Sequence, residues 1–139
     1  MANKKLLVVG ARGIVGRSTI KHFSKLKGWD VVGLSRSASD FDSEIEWINV
    51  DLQNSEDCRN KLKSLNDVSH ICYSAVFEKE NLTSGWAQSD HAEINLNMLR
   101  NVIESMDKNS SKLEHITLMQ GTKAYGGHLG PFKMPARET

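Results

Sequence analysis

Three glycines near the start of the chain, Gly10, Gly13 and Gly16, have the spacing of a loop that holds a diphosphate. Gly10 allows a sharp turn, Gly13 leaves the backbone open to a phosphate, and Gly16 lets the next helix pack closely. An apolar run precedes the loop, and Ile14 and Val15 begin a segment whose apolar residues have helical spacing. Phosphates would meet the free N–H groups and the positive end of that helix. The pattern predicts a dinucleotide site, and the alternative is a tight turn without a ligand.

The end of the second predicted strand indicates which nicotinamide cofactor fits. An NAD site usually has an acidic residue about 20 residues beyond the glycines, whereas this sequence has Ser35 and Arg36. A ribose 2′-phosphate needs a cation with several donors, and Arg12 in the glycine loop could face the same phosphate. The sequence therefore predicts NADP(H) as the cofactor. The alternative for Arg36 is an ordinary solvated loop residue.

Two further segments lie where the rest of a dinucleotide would be expected. Asp51 and Leu52 follow the third predicted strand, so a carboxylate could accept hydrogen bonds from the adenine amino group while a leucine covers the ring. The alternative for Asp51 is an acid at a helix start, and the sequence favours neither. Ser74, Ala75 and Val76 end the fourth predicted strand, where small residues would let the cofactor pass close to the backbone.

Strands and helices are expected to alternate along the whole chain. The predicted strands cover about 5–9, 31–35, 47–50, 70–74 and 115–119, and the predicted helices cover about 14–26, a short segment after 54, and 90–106. Alternation of this kind predicts an α/β fold with a doubly wound parallel sheet, in the strand order 3-2-1-4-5. The ligand belongs in the crevice at the carboxyl ends of strands 1 and 4, where the order reverses.

The composition is that of one globular domain. The 139 residues are 39% hydrophobic and 25% charged, and the net charge of +1 gives no sign of a nucleic-acid or membrane-surface partner. No apolar stretch is long enough for a signal sequence or a membrane span. Cys58 and Cys72 have no metal-ligand spacing. We therefore expect a cytoplasmic protein with reduced cysteines and no metal site.

The glycine loop, together with Asp51, Leu52 and Asn95, resembles the extended short-chain dehydrogenase/reductase superfamily, which includes the NAD-dependent epimerases and dehydratases. The segment 118–126, Leu-Met-Gln-Gly-Thr-Lys-Ala-Tyr-Gly, and the Gly-Pro-Phe at 130–132 resemble its progesterone-5β-reductase and iridoid-synthase-like branch. The resemblance covers nearly the whole chain but only the first part of a family member. It implies an NADP-binding Rossmann domain over 1–139, truncated after strand 5 and without the C-terminal substrate domain. We expect either a fragment or the product of a truncated gene.

The resemblance also assigns roles in catalysis. Most superfamily members have a serine or threonine at the position of Gly121 and a Tyr-x-x-x-Lys pair, which neither Tyr73 nor Tyr125 can supply. In the branch named above, the lysine lies at the position of Lys123, and the tyrosine comes from much further along the chain. An ammonium near a carbonyl oxygen stabilises the charge that hydride addition creates there. The resemblance therefore implies a catalytic Lys123, whereas the pattern alone favours a flexible loop cation.

Two functions of different kinds are compatible with these features. The first is an NADPH-dependent reductase of an enone or carbonyl substrate, with Asn95, Gln120 and Gly121 beside the cofactor and a small-molecule substrate as its partner. The second is a non-enzymatic NADP(H)-binding regulatory module. A nucleotide-sugar epimerase or dehydratase is a further enzyme class, against which Gly121 in place of a serine argues. The apolar stripe of the helix over 90–106 serves either the core or a homodimer.

Overall fold

The computed structural model describes residues 4–78, 90–121, 125–126, 129–131 and 133–134. Across these ranges strands and helices alternate, as the sequence predicts. The strands are β1 Lys4–Val9, β2 Trp29–Ser35, β3 Glu46–Asn49, β4 His70–Tyr73 and β5 His115–Leu118. The helices are α1 Ile14–Phe23, α2 Ser55–Leu62 and α3 Asp90–Asn109.

These five strands form one parallel sheet in the order β3-β2-β1-β4-β5. The register pairs Val9 at the end of β1 with Leu34 of β2 and with Tyr73 of β4, so three carboxyl ends lie side by side. The α/β class, the doubly wound parallel sheet and the predicted strand order are confirmed. The order reverses between β1 and β4, so the segments that leave these strands diverge and open a crevice.

β1 is the central strand, and helices cover both faces of the sheet at this strand. The β1 side chains that point to either face are apolar from Leu6 to Val9. Leu7 and Val9 enter the larger of two cores, while Leu6 and Val8 enter the smaller one. All four side chains are at most 4% exposed. A continuous apolar run is typical of a parallel strand buried on two sides. The strand predicted over about 5–9 is confirmed.

The two cores lie on opposite faces of the sheet. The larger lies beneath α2 and α3, where Leu62, Val102 and Met106 are fully buried. The smaller lies beneath α1, whose Ile20 packs with the apolar side chains of β1 and β2. Burying one such side chain contributes about 1.5–3 kcal/mol, so packing, more than helix propensity, fixes these helices on the sheet.

Three of the predicted element boundaries differ from the observed ones by more than one residue. α1 ends at Phe23 because the chain turns there: the N–H of Leu26 donates to Phe23 O, and Gly28 has a φ of 82°. β2 begins earlier, at Trp29, whose indole packs edge-on against Phe23 with ring centroids 4.7 Å apart. α3 continues to Asn109, beyond the predicted end.

The start of α2 is fixed by a side-chain cap. Asn54 Oδ1 accepts hydrogen bonds from the N–H groups of Glu56 and Asp57, each at 3.0 Å. These two N–H groups have no partner within the helix, because the first turn lacks preceding carbonyls. The two acids also lie in the first turn, where the helix dipole favours negative charge. The short helix predicted after residue 54 is confirmed.

This cap leads to a stability prediction. Replacing Asn54 with alanine removes both accepted hydrogen bonds, and we expect the free energy of unfolding to fall by about 1 kcal/mol. Urea denaturation followed by circular dichroism measures the change. Asn60→Ala is the matched control, because Asn60 is an exposed residue within the same helix, where alanine is the better helix former. An equal loss in both variants would contradict the capping role.

Candidate functional site

A cavity of about 440 Å³ opens where the carboxyl ends of β1, β2 and β4 meet. The segments that follow β1, β2, β3 and β4 form its wall, and α3 contributes Met98. This is the position at which ligands bind in open parallel α/β sheets. The volume falls within the range of small-molecule sites.

Most of the predicted site residues lie in this cavity. Those that line it are Gly10, Arg12, Gly13, Ser35, Arg36, Asp51, Leu52, Ser74, Ala75 and Val76. Those that the structure describes but that do not line it are Ile14, Val15, Gly16, Asn95, Gln120 and Gly121. Lys123 lies outside the described residues. Its catalytic role and every predicted cofactor contact stay predictions.

Close backbone contacts explain two of the three glycines. Gly10 has a φ of 85°, and a Cβ there would lie 2.7 Å from the backbone nitrogen of Ala75. A Cβ at Gly16 would lie only 2.2 Å from Gly10 O. Both distances are shorter than any real contact of a Cβ, so a side chain at either position would push two backbone segments apart. Gly10 thus joins the loop to the segment after β4, a contact that the sequence pattern did not predict.

The N-terminus of α1 meets the cavity without a side-chain cap. Gly13 is its N-cap residue, and the first turn contains no acidic side chain. Uncapped N–H groups and the positive end of the helix dipole favour an anion at this point. The geometry that a bound phosphate requires is therefore present at the cavity wall.

One carboxylate joins two arginines at the mouth of the cavity. Arg12 Nη2 lies 3.0 Å from Asp40 Oδ2, and Arg17 Nη2 contacts the same oxygen. Arg17 Nε also donates to the backbone carbonyl of Arg12 at 2.8 Å, which ties the Arg17 guanidinium to the glycine loop. The hydrogen bond from Arg12, assisted by Arg17, holds the pKa of Asp40 below its ordinary value of 3.8. Asp40 is consequently ionised at neutral pH.

The loop between β2 and β3 is held beside this cluster by aromatic contacts. The guanidinium carbon of Arg17 lies 5.1 Å from the centre of the Phe41 ring, and Phe41 packs edge-on against Trp47. The indole Nε1 of Trp47 donates to Ser35 Oγ at 2.9 Å and to Ser37 O at 3.1 Å. The loop is therefore fixed to the sheet on one side and to α1 on the other.

Arg36 lies in the same part of the wall. Its side chain is exposed, and no carboxylate within the described ranges forms an ion pair with it. Ser35 lies just before it, with its hydroxyl donating to the carbonyl of Ser37. Arg36 thus offers a guanidinium that can bind an anion without first leaving a carboxylate of the described part of the chain.

Apolar side chains form the opposite part of the wall. Val50, Leu52 and Met98 are at most 8% exposed, and all three line the cavity. Asn101 on α3 donates to Leu52 O at 2.8 Å, which holds the segment after β3 against the helix. A wall of this kind can bury one face of a flat aromatic ring.

Asp51 takes part in the start of α2 and also lines the cavity. Its N–H donates to Asp57 Oδ2 at 2.8 Å, and its own Oδ1 accepts from the N–H of Gln53 at 3.0 Å. The first of these bonds, assisted by Lys61, lowers the pKa of Asp57. Both interpretations of Asp51, a helix-entry acid and a ligand for adenine, fit this geometry.

Asn95 fastens the segment after β4 to α3. Its Oδ1 accepts from the N–H of Phe77 at 2.8 Å, and its Nδ2 donates to Phe77 O at 3.1 Å and to His91 O at 3.0 Å. Both amide donors are thus engaged within the chain. Phe77 itself lines the cavity, so Asn95 shapes the site from behind the wall.

The two tyrosines occupy different environments. Tyr73 is 4% exposed, and its hydroxyl has no hydrogen-bond partner among the described residues. Burial raises its pKa to about 12, and burial likewise raises the pKa of the nearby Cys58 to about 11. Tyr125 is 39% exposed. Tyr73 is therefore a core residue that is poorly suited to proton transfer at neutral pH.

Several cavity residues were missed by the sequence interpretation, namely Arg17, Leu34, Ser37, Asp40, Val50, Gln53, Phe77 and Met98. The place of Arg17 in the cavity could have been predicted, because this residue lies in the first turn of the helix that the glycine loop opens. The place of Met98 could have been predicted as well, since it belongs to the apolar stripe of α3. The places of the loop residues Ser37 and Asp40 could not.

Two kinds of feature, a metal site and a membrane-spanning helix, are absent from the described residues. No group of three His, Cys, Asp or Glu side chains in these ranges is arranged to hold a metal ion. None of the helices that these residues form is long and apolar enough to cross a membrane.

Comparison with known proteins places the chain in a family. Residues 6–138 match the model of the NAD dependent epimerase/dehydratase family. A 3-oxo-Delta(4,5)-steroid 5-beta-reductase from Arabidopsis thaliana is 36% identical over 133 residues, which are 91% of this chain and 32% of that protein. An (S)-8-oxocitronellyl enol synthase from Camptotheca acuminata is 34% identical over 132 residues, 90% of this chain and 31% of that protein. The chain thus spans about a third of the curated relatives that it matches.

Solved structures share the fold at low sequence identity. The Helicobacter pylori ADP-L-glycero-D-manno-heptose-6-epimerase has a TM-score of 0.70 at 20% identity, over 99% of this chain and 44% of that one. A short chain dehydrogenase family protein from Francisella tularensis has a TM-score of 0.71 at 16% identity, over 99% of this chain and 56% of that one. Together with the glycine loop at the end of β1, the match over residues 6–138 shows that this chain belongs to the NAD-dependent epimerase/dehydratase family of extended short-chain dehydrogenases/reductases, which binds NAD(P) in a Rossmann fold.

Proposed function

We propose that this chain is the NADP(H)-binding part of a short-chain-type reductase that acts on an enone or another carbonyl compound. The observation that carries the cofactor assignment is the concentration of arginine at the cavity mouth. Arg12, Arg17 and Arg36 all line the cavity, against the carboxylates of Asp40 and Asp51. A phosphate group carries a charge of about −1.5 to −2 at neutral pH and takes bidentate hydrogen bonds from guanidinium groups. This balance of charge favours a cofactor with a 2′-phosphate.

In this proposal each part of the cofactor meets a different segment of the wall. The diphosphate meets Gly13 and the uncapped N-terminus of α1. The 2′-phosphate meets Arg12, Arg17 and Arg36. The adenine rests on the apolar wall, and the nicotinamide extends towards residues 74–77 after β4. Small side chains at the start of that segment leave the backbone accessible. Bound NADPH would supply a hydride to the substrate.

The substrate class is supported by the names of the relatives. One of them is a reductase of a 3-oxo-Delta(4,5)-steroid, in which a ketone is conjugated with a double bond. Others are (S)-8-oxocitronellyl enol synthases, whose name also describes an oxo compound and its enol. The alignments cover 91% of this chain for the first relative and 90% for the second. We extend to this chain only the class that these names have in common, a small carbonyl compound.

Lys123 is the residue that we propose for catalysis. Its segment leaves β5, which pairs in parallel with β4, and the N–H of Met119 continues this pairing with a hydrogen bond of 3.0 Å to Tyr73 O. Gln120 and Gly121 therefore leave the sheet at the same edge as the cavity. We propose that the ammonium of Lys123, two residues further along the chain, stabilises the substrate oxygen that gains charge.

The cofactor assignment predicts a preference between two nucleotides. NADPH should bind this chain more tightly than NADH, because only NADPH offers the arginines a 2′-phosphate. Arg36→Ala should weaken the binding of NADPH by about 1–2 kcal/mol, which is a roughly 5- to 30-fold increase in Kd, and should leave the affinity for NADH nearly unchanged. Isothermal titration calorimetry with both cofactors measures these values.

Arg59→Ala is the matched control for this titration. Arg59 is an exposed arginine on α2 that does not line the cavity, so its loss changes the net charge equally without touching the site. Equal affinity of the chain for NADPH and NADH would disprove the assignment. An equal loss of NADPH affinity in both variants would attribute the effect to net charge and not to Arg36.

The catalytic assignment predicts a second set of variants, tested in an active protein that contains this chain. Lys123→Met keeps the length of the side chain and removes its charge. We expect kcat to fall about 100-fold with a smaller change in KM, because the contact acts mainly in the transition state. Tyr125→Phe should keep most of the activity. Steady-state NADPH oxidation with an enone substrate measures both, and the reverse result would show that the roles are assigned wrongly.

A further inference from the structure

Asp40 occupies the two arginines that a phosphate at the cavity mouth would need. Its Oδ2 lies 3.0 Å from Arg12 Nη2 and also contacts Arg17 Nη2. Among the described residues, no other carboxylate forms an ion pair with either arginine. The three side chains are 36–39% exposed, so this cluster faces the opening through which a ligand would enter.

We propose that Asp40 competes with the 2′-phosphate of the cofactor for Arg12 and Arg17, and that it thereby determines the selectivity between NADP(H) and NAD(H). Without a cofactor the carboxylate neutralises both guanidinium groups. When NADP(H) binds, the 2′-phosphate takes the place of the carboxylate. The inference rests on the proposed function, because it assumes that the cavity takes a nicotinamide dinucleotide.

The charges favour this exchange. A carboxylate brings one negative charge, whereas a phosphate brings about −1.5 to −2 and three acceptor oxygens. Solvent-exposed ion pairs contribute little to stability, so the bonds of Asp40 are easily replaced. Together with Arg36, the mouth has three guanidinium groups. In the described part of the chain, Asp40 is the only carboxylate that forms an ion pair with any of them.

The loop can release the carboxylate without unfolding. On one side of Asp40, Ser37 O accepts the hydrogen bond from the Trp47 indole at 3.1 Å. On the other side, Phe41 packs on Trp47 and on the guanidinium of Arg17. Because both neighbours are anchored, a change of side-chain rotamer at Asp40 is enough to expose the arginines.

The competition acts on the two cofactors differently. NAD(H) has no 2′-phosphate, so it gains nothing from the freed arginines, and its 2′-hydroxyl can donate to a carboxylate that stays in place. Asp40 therefore lowers the affinity for NADP(H) and does not lower the affinity for NAD(H). The sequence lacks an acid directly at the end of β2, and the loop supplies one a few residues later.

The test uses nucleotides that differ in the 2′-phosphate. Adenosine 2′,5′-bisphosphate and 5′-ADP are titrated calorimetrically into the wild-type chain, Asp40→Asn and Asp42→Asn. We expect Asp40→Asn to bind the bisphosphate about 3- to 10-fold more tightly and ADP within about twofold of wild type. Asp42→Asn removes the same charge from the same loop, and Asp42 does not line this cavity, so it should match wild type. In an Arg17→Gln background the gain from Asp40→Asn should shrink.

The other outcomes overturn the inference in distinguishable ways. Weaker bisphosphate binding by Asp40→Asn would show that Asp40 positions the arginines, and unchanged binding would show no competition. An equal gain for ADP would assign the competition to the diphosphate, and an equal gain in Asp42→Asn would assign it to net charge. If the wild-type chain binds neither nucleotide, the proposed function is wrong. If the Asp40→Asn variant also binds neither nucleotide, this inference is wrong too.

Discussion

The site depends on a place where three backbone segments meet with no side chain between them. These segments are the turn after β1, the first turn of α1 and the segment after β4. They approach one another so closely at Gly10 and Gly16 that neither position has room for a Cβ. This contact places the open end of α1 against the carboxyl edge of the sheet. The cavity exists because the segments then diverge on the two sides of β1, where the strand order reverses.

The positive charge of the arginines at the cavity mouth is partly neutralised by a carboxylate. Arg12 and Arg17 share one carboxylate, whereas Arg36 has none among the described residues. Val50, Leu52 and Met98 form an apolar part of the wall. Amides of α3 hold the neighbouring segments, Asn101 the one after β3 and Asn95 the one after β4. The cavity thus combines a charged cluster, to which α1 and the loop after β2 contribute, with apolar side chains from α3 and from the segment after β3.

The sheet could be predicted from the sequence because its cause is local. β1 is apolar along its whole length, and alternating elements leave only a parallel order. The cavity members at strand ends, such as Arg36 and Ala75, follow from the same rule, since parallel strands end at one edge. Asp40 could not be predicted, because its position depends on the path of a loop without regular structure. The role of Asn95 was equally beyond the sequence, since an amide can serve a helix, a neighbouring segment or a ligand.

The pairing of Gly33 with Trp47 across β2 and β3 has an evolutionary consequence. A Cβ at Gly33 would lie 3.0 Å from the indole ring, tighter than nearly all real contacts of this kind. The same indole holds Ser35 and Ser37 through its nitrogen, and its ring supports Phe41. A larger residue in the middle of the sheet would therefore displace the ring on which the loop beside the arginines depends. The two positions are expected to covary among descendants of this gene, so that a change in β2 is inherited together with a change in the β3 side chain that supports the loop facing the ligand.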